Sequence, residues 1–514
     1  MYKDFKNETD FDEERIKLST AALIHAGFFV PSLVQYLGGT HTGAHRDAAQ
    51  IRKNLTPSLD PELLNEVIDL FTRGAPNVAK GFSTNENFMA YYRYGNHHSC
   101  DEFQDFFKTV MVKDSKRGNI ILVDPLVLFF IPYLHLTPQA MVDVNNKWKD
   151  KRPIFDSTFR PEIWCHAIND WIDKETEGDV FFPGSFQRFL VWLWNLRISY
   201  TDQPIYLCDD DITNAFRLVK INPELASMHS FVGCGQLAIC TGNTFGNTNC
   251  PANFDRPATA RSQHSRYLWQ HRGDECVQQC ASRLRNVKIQ PITDDIPFSQ
   301  ANADSFHSGV FNADGSRKPT TYVGHVDDHV YSDVAQHLHR TIACSFVGAE
   351  ESFGGSHQYQ EDLISDKKLN MLYEEKRILL GYLPNSQTMM VELSPRRREK
   401  IINYIIEERW LIRDRASIRE IARILGLLQS ICDIFLWGQA QLLVLQQLLA
   451  VQIRKGYNAA RCDYRINDRY VNERAKLPKT MHYRLQHLRM KLECEFLWRF
   501  RKQITISLVN LPIL

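Results

Sequence analysis

Apolar residues recur along the chain with two different spacings. Three-to-four spacing marks helices. It appears in "FQRFLVWLWNLRISY" (Phe186–Tyr200), which reads as a buried helix, and in "SPRRREKIINYIIEERW" from Ser394. It runs again through "ASIREIARILGLLQSICDIFLWGQAQLLVLQQLLAVQIRKG", where Ser417–Glu420 fits a capping box. The stripe Ile421, Ile424, Leu425 and Leu428 is most simply a core face. Strand-like texture appears in "KRPIFD" (Lys151–Asp156), and in "PIYLCDDDITNAF", an apolar strand ending in Asp209, Asp210 and Asp211. Residues 1–140 mix helical patches with loops such as "YLGGTHTGAH" and carry no motif of their own. Residues 255–320 are polar and read as an insertion that loops out, with "DADGSRKPTT" as turn chemistry.

One stretch breaks its own pattern. "VGHVDDHVY" sets Asp327 and Asp328 among Val323, Val326, Val330 and Tyr331, which favour strand. Adjacent aspartates are depleted in strands and repel each other. A solvated hairpin turn is one explanation, since Asp is a good turn residue. A metal site at a hairpin tip is the other, since a cation relieves the repulsion.

Composition narrows the class without choosing the function. The 514 residues suffice for several domains with a real core. Apolar content of 44% and charged content of 24% are ordinary for a soluble globular protein, and the net charge is +1. The twelve cysteines are scattered singly, which reads as a reduced, intracellular protein. The N-terminal "MYKDFKNETDFDEER" has no apolar signal segment, and "LVLFFIPYLHL" is too short to span a bilayer and contains Pro132. A soluble protein with no membrane partner is expected. "NHHSC" (Asn96–Cys100) and "CVQQC" (Cys276–Cys280) each lack a second ligand pair for zinc, so loop histidines and a helix face are the simpler readings. From Arg454 to Lys502 there are fourteen Lys/Arg against five Asp/Glu, interleaved with Tyr457, Tyr464, Tyr470, Tyr483, Trp498 and Phe500. That run suits a solvated helical face or a nucleic-acid backbone contact. The hydrolase signatures G-x-S-x-G and H-E-x-x-H are absent.

Three carboxylates at a strand end and two at a hairpin tip make a cage for hard divalent cations. Two ions about 3.5–4 Å apart serve in-line phosphoryl displacement. At this point six segments, in order from about residue 147 to 394, resemble the reverse transcriptases of retroelements. "KRPIFD" resembles the fingers strand bearing an arginine. Asp211 with Ala215 and Phe216 looks like the first palm motif, and "TFGNTNCPANF" (Thr244–Phe254) like the next. "HVDD" (His325–Asp328) looks like the aromatic-x-Asp-Asp hairpin, "LISDKKLNM" like the lysine-bearing segment, and "LLGYLPNSQTMMVELS" like the primer-grip hairpin. His325 stands where an aromatic is usual, and Asn249-Cys250-Pro251 where Ser-Pro is usual.

The resemblance implies an α/β (α+β) right-hand fold: fingers, a palm of antiparallel sheet with helices, and a helical thumb or connection. It divides the chain into 1–140 of unknown role and 141–394 as fingers and palm, with fingers mainly from 141–205. Residues 395–455 become thumb-like, and 456–514 a basic C-terminal helical region. It implies RNA-directed DNA polymerisation with two Mg²⁺ or Mn²⁺, an RNA template, a DNA or RNA primer, and dNTPs. Asp211, Asp327 and Asp328 would hold the metals, with the Ile212 carbonyl assisting. Phe216 would gate against a 2′-hydroxyl, and Phe245 and Gly246 would line the nucleotide pocket. Arg152, with Lys149 or Lys151, would meet the triphosphate, and Lys367 or Lys368 the leaving pyrophosphate. Gly381 and Tyr382 would hold the primer end. No acidic set for an RNase H domain follows the thumb. Two competing classes remain: a repurposed, inactive polymerase fold that binds nucleic acid, and an unrelated two-metal nuclease or phosphatase.

Overall fold

Two paired strands organise the molecule. Ile205–Asp211 and Asp328–Val334 run antiparallel, with Ile205 opposite Val334 and Asp211 opposite Asp328. Side chains alternate across a strand. Ile205, Leu207, Val330 and Val334 therefore enter one core, while Tyr206, Cys208 and Tyr331 enter another on the opposite face. Val323–His325 pairs with the second strand and completes a three-stranded antiparallel sheet. The computed structural model describes residues 10–37, 47–76, 81–143, 151–172, 184–289, 316, 322–354, 363–364, 372–429, 432, 438–459, 474–493 and 502–503. Over these the chain is α+β, with helices set against small sheets that are almost all antiparallel.

The Tyr206 face is covered by the helices Asn249–His271 and Ala335–Phe353, which pack on each other more extensively than any other helix pair. Their contact surfaces are built from small residues. Ala258, Ala260, Ser262 and Ser265 are buried on the first helix, and Ala343, Ser345 and Ala349 on the second. Small side chains let the backbones approach closely, and a Cβ at Gly348 would collide with Ser265 Oγ. This overturns the expectation that residues 255–320 loop out: the first part belongs to a core helix against the central sheet. Its polarity misleads because Arg261 and His264 are buried with partners rather than solvated. Cys276 lies in the following helix Gly273–Gln279 and is buried, in line with a helix face.

Residues 1–140 are not a separate unit. Helices Ala48–Leu55 and Pro61–Arg73 pack against the same two helices. Ser58 Oγ meets His264 Nδ1 at 2.8 Å, His264 Nε2 meets Glu351 at 2.7 Å, and Arg272 donates to both Glu351 oxygens. Burial raises the Glu351 carboxyl, but His264 and Arg272 outweigh it and hold it below the usual range. Strand Ile120–Val123 pairs with Gln236–Cys240, which pairs with Ser230–Gly233. The hairpin Gln139–Asp143 and Lys151–Phe155 stands beside them. The region around that hairpin thus draws on residues before 141 and after 205, not mainly on 141–205.

On the Ile205 face lie helix Ser185–Ser199, the hairpin Tyr382–Asn385 with Met390–Leu393, and the helices that follow Ser394. Pro395 opens the helix Pro395–Glu407. Ser417 and Glu420 form the expected capping box, with Glu420 N–H to Ser417 Oγ at 3.2 Å and Ser417 N–H to Glu420 Oε2 at 2.7 Å. Ile421, Ile424 and Leu428 are buried, with Leu425 packed beside them. The boundary at 455 is not seen: helix Gly438–Ala459 crosses it, and Arg415–Ser417 pairs with Arg474–Lys476. Much of the basic run 454–502 lies outside the described residues. Among the described residues, no helix is long and apolar enough to cross a membrane.

Two glycine substitutions should move stability in opposite directions. Gly426→Ala, in an open stretch of helix Ile418–Gln429, should stabilise by about 0.4–1 kcal/mol. Gly348→Ala should cost roughly 1–3 kcal/mol through overpacking against Ser265. Denaturant midpoints read both, and a neutral Gly348→Ala would contradict the close helix approach.

Candidate active site

The strand end and the hairpin tip meet because of register. Asp211 opposes Asp328, and the Ile212 N–H donates to the Asp327 carbonyl at 3.3 Å. His325 pairs with Asp328, so Val326 and Asp327 form a two-residue turn. Val326 has φ of 58°, the left-handed region where a turn of this kind prefers glycine. A β-branched residue there is strained, and strain of this sort collects at functional sites.

Asp211, Asp327 and Asp328 each offer one oxygen, and these oxygens lie within 4.8 Å of one another. Asp211 is 5% exposed, and its two companions are half-buried. Carboxylates at this spacing repel unless a cation or proton sits among them. The donor set is all oxygen, which fits Mg²⁺ or Mn²⁺ and not a soft metal.

Asp209 and Asp210 do not join the cluster, contrary to the three-aspartate reading of the strand end. Each is taken by an arginine. Asp209 pairs with Arg377 at 2.6 Å, and burial still raises its carboxyl above the usual range. Asp210 points to the opposite face, as alternation requires, and meets Arg261 at 2.6 Å. Its second oxygen accepts from Ser345 Oγ at 2.7 Å and Tyr331 Oη at 3.3 Å. His329 Nδ1 lies 2.8 Å from Ser345 Oγ. Burial first, then the Arg261 and Arg266 charges, push this imidazole well below its usual pKa and keep it neutral.

The expected nucleotide residues form a stack. The exposed Arg152 guanidinium lies 4.8 Å from the Phe245 ring centre. Phe245 lies 5.0 Å from Phe216, which meets Phe254 at 6.0 Å. Phe216 and Phe245 are both half-buried. Strand alternation turns Lys151 the other way, onto the Phe103 ring at 3.9 Å, so it does not accompany Arg152. Gly246 has φ of 114°, and a Cβ there would collide with the Phe155 carbonyl. Only glycine suits that approach. Asn169, which sequence reasoning missed, braces the loop: its amide donates to the Gly246 carbonyl at 2.9 Å and accepts from the Thr248 N–H at 3.1 Å.

Gly381 has φ of 84° and precedes Tyr382, whose ring is buried against Phe186 at 4.2 Å. Tyr382 is a core side chain, so its ring does not reach the carboxylates. Ser185, beside Phe186 in its helix, donates to the Gly324 carbonyl at 2.6 Å. Lys149, Lys367 and Lys368 lie outside the described residues.

No family model matches the chain, and no curated protein matches it. Solved structures do. The foamy viral protease-reverse transcriptase dRH in complex with double-stranded DNA is similar at 14% identity and TM-score 0.42, over 90% of this chain and 63% of that one. The same viral protease-reverse transcriptase with an RNA/DNA hybrid is similar at 14% identity and TM-score 0.39, over 90% and 48%. With double-stranded DNA, the figures are 15% identity and TM-score 0.39, over 86% and 71%. The chain thus spans less than two thirds of the first two of these proteins.

Clustered like charge makes a thermal prediction. In EDTA, Asp327→Asn/Asp328→Asn should be more stable than the parent, by on the order of 1 kcal/mol. Mg²⁺ or Mn²⁺ should raise the melting temperature of the parent and not of the variant. A variant that melts lower in EDTA would show that the carboxylates are not in mutual repulsion.

Proposed function

We propose that this chain is an RNA-directed DNA polymerase of a retroelement, joining deoxynucleotides to a primer 3′-hydroxyl along an RNA template. The carboxylate cluster of Asp211, Asp327 and Asp328, at the paired ends of two strands, carries the reading. Divalent ions bound there supply charge stabilisation to an in-line displacement at the α-phosphate. The remaining work falls to the chain. Asp211 fixes its carboxylate from a rigid strand, and Asp327 and Asp328 bring theirs on a strained turn, with the Ile212 carbonyl as a further oxygen. Arg152 meets the triphosphate with a planar fork that suits phosphate oxygens. Its stack with Phe245 limits the freedom it must lose on binding.

Phe216 gates the sugar: a ring beneath the ribose leaves no room for a 2′-hydroxyl. Phe245 and Gly246 line the pocket, where the bare glycine backbone admits a close approach. Lys367 serves the leaving pyrophosphate, and Gly381 and Tyr382 place the primer end through their hairpin backbone. In this reading the Ile205–Asp211 sheet and its two covering helices are the palm. The helices after Ser394 are the thumb.

The test is primer extension on poly(rA) with oligo(dT), dTTP and Mg²⁺ or Mn²⁺. The parent should extend, and Asp327→Asn/Asp328→Asn should fall to background. A parent that binds template with salt-dependent affinity yet never extends the primer would replace this reading with a nucleic-acid-binding protein on a polymerase fold. Phe216→Val should raise ribonucleotide use relative to deoxynucleotide by about tenfold or more. Unchanged sugar discrimination would remove Phe216 from the gate.

A further inference from the structure

Behind the carboxylate cluster, on the face turned away from it, sits a polar assembly with almost no solvent contact. Asp210 and Arg261 side chains are 0% and 3% exposed and meet at 2.6 Å. Arg261 also donates to the Ser345 carbonyl at 3.2 Å and to Ser345 Oγ at 3.0 Å. Ser345 Oγ donates to Asp210 at 2.7 Å and lies 2.8 Å from His329 Nδ1. Four elements meet here: both central strands and both helices that cover them.

Its place in the sheet is specific. Asp210 immediately precedes Asp211, and His329 immediately follows Asp328. Asp210 and His329 oppose each other in register, one step from the opposed pair Asp211 and Asp328. A buried ion pair is a poor source of net stability, because desolvation cancels most of the attraction and apolar replacements often do as well. What a hydrogen-bonded pair supplies and an apolar contact does not is direction. Arg261 Nη2, which alone makes all three of these bonds, and the Ser345 hydroxyl fix where Asp210 and His329 lie relative to two helices, and so fix the backbone from which Asp211 and Asp328 project.

We propose that Arg261, Asp210 and Ser345 are positioning residues that hold the carboxylate cluster in its ion-binding geometry from behind. The proposal rests on reading that cluster as a metal site. The expected signature is weaker metal binding in variants that remain folded, comparable to losing an outer-shell partner, about tenfold or more. Catalysis then suffers through kcat at subsaturating metal, with little change in KM for the nucleotide.

The experiment measures Mn²⁺ binding by electron paramagnetic resonance, beside thermal melting, for the full chain. The variants are Asp210→Asn, Ser345→Ala, Arg261→Lys and the apolar pair Asp210→Leu/Arg261→Met. Glu351→Gln, which breaks a different partly buried charge cluster joining the same two helices, controls for stability alone. The proposal expects at least about tenfold weaker Mn²⁺ binding in the network variants, with the apolar pair folded and still deficient. Glu351→Gln should lower the melting temperature and leave Mn²⁺ binding unchanged. Network variants that are folded and bind Mn²⁺ as the parent does would overturn it, as would a parent that binds no Mn²⁺. A parent that binds Mn²⁺ but extends no primer retires the polymerase reading instead, and the comparison among variants still decides this one.

Discussion

Three carboxylate oxygens within 4.8 Å of one another want to separate, and the surrounding structure resists them. Asp211 is held by a strand whose Ile205 and Leu207 are locked in one core and whose Tyr206 and Cys208 are locked in another. Asp327 and Asp328 are held by a two-residue turn that a valine occupies under strain. Repulsion on one face is matched by attraction on the other, where Arg261 takes Asp210, and beside it, where Arg377 takes Asp209. Five aspartates in two short segments thus divide into two that pair with arginines and three whose oxygens come together.

The period of two makes this division possible. A single strand cannot place adjacent carboxylates on one face, so a strand-borne ligand must be joined by others from elsewhere. The hairpin supplies them because its turn escapes the alternation. The same alternation acts in the separate hairpin strand Lys151–Phe155, where Arg152 turns to Phe245 while Lys151 turns to Phe103.

Much of this was legible in the sequence, for local reasons. The central strand, the acidic hairpin, the buried helix from Ser185 and the Ser417 capping box all carry their signals within a few residues. Pattern alone offers five aspartates, and the resemblance names Asp211, Asp327 and Asp328, whose oxygens lie together. The helix Asn249–His271 was misread because its buried face is made of Ala, Ser, His and Arg rather than Leu and Ile. Its partners, Asp210 and Glu351, lie 51 and 87 positions away from Arg261 and His264, respectively, and no local window shows such a pairing. Asn169 escaped notice for the same reason, since its role depends on a loop 77 residues further on. The division at 455 failed because strand pairing, not helix content, ties that region together.

The contact between Ser58 and His264 spans 206 positions, and that between Asn54 and the Glu351 carbonyl spans 297. These contacts set an order of events during synthesis. At about 5–20 residues per second, helices Ala48–Leu55 and Pro61–Arg73 wait roughly 10–60 s for the partners that cover them. Until then Leu64, Val67, Ile68 and Phe71 have only Ile51, Leu55 and Leu59 of their own core to close on. The helices Asn249–His271 and Ala335–Phe353 are therefore what complete the core begun by the two N-terminal helices.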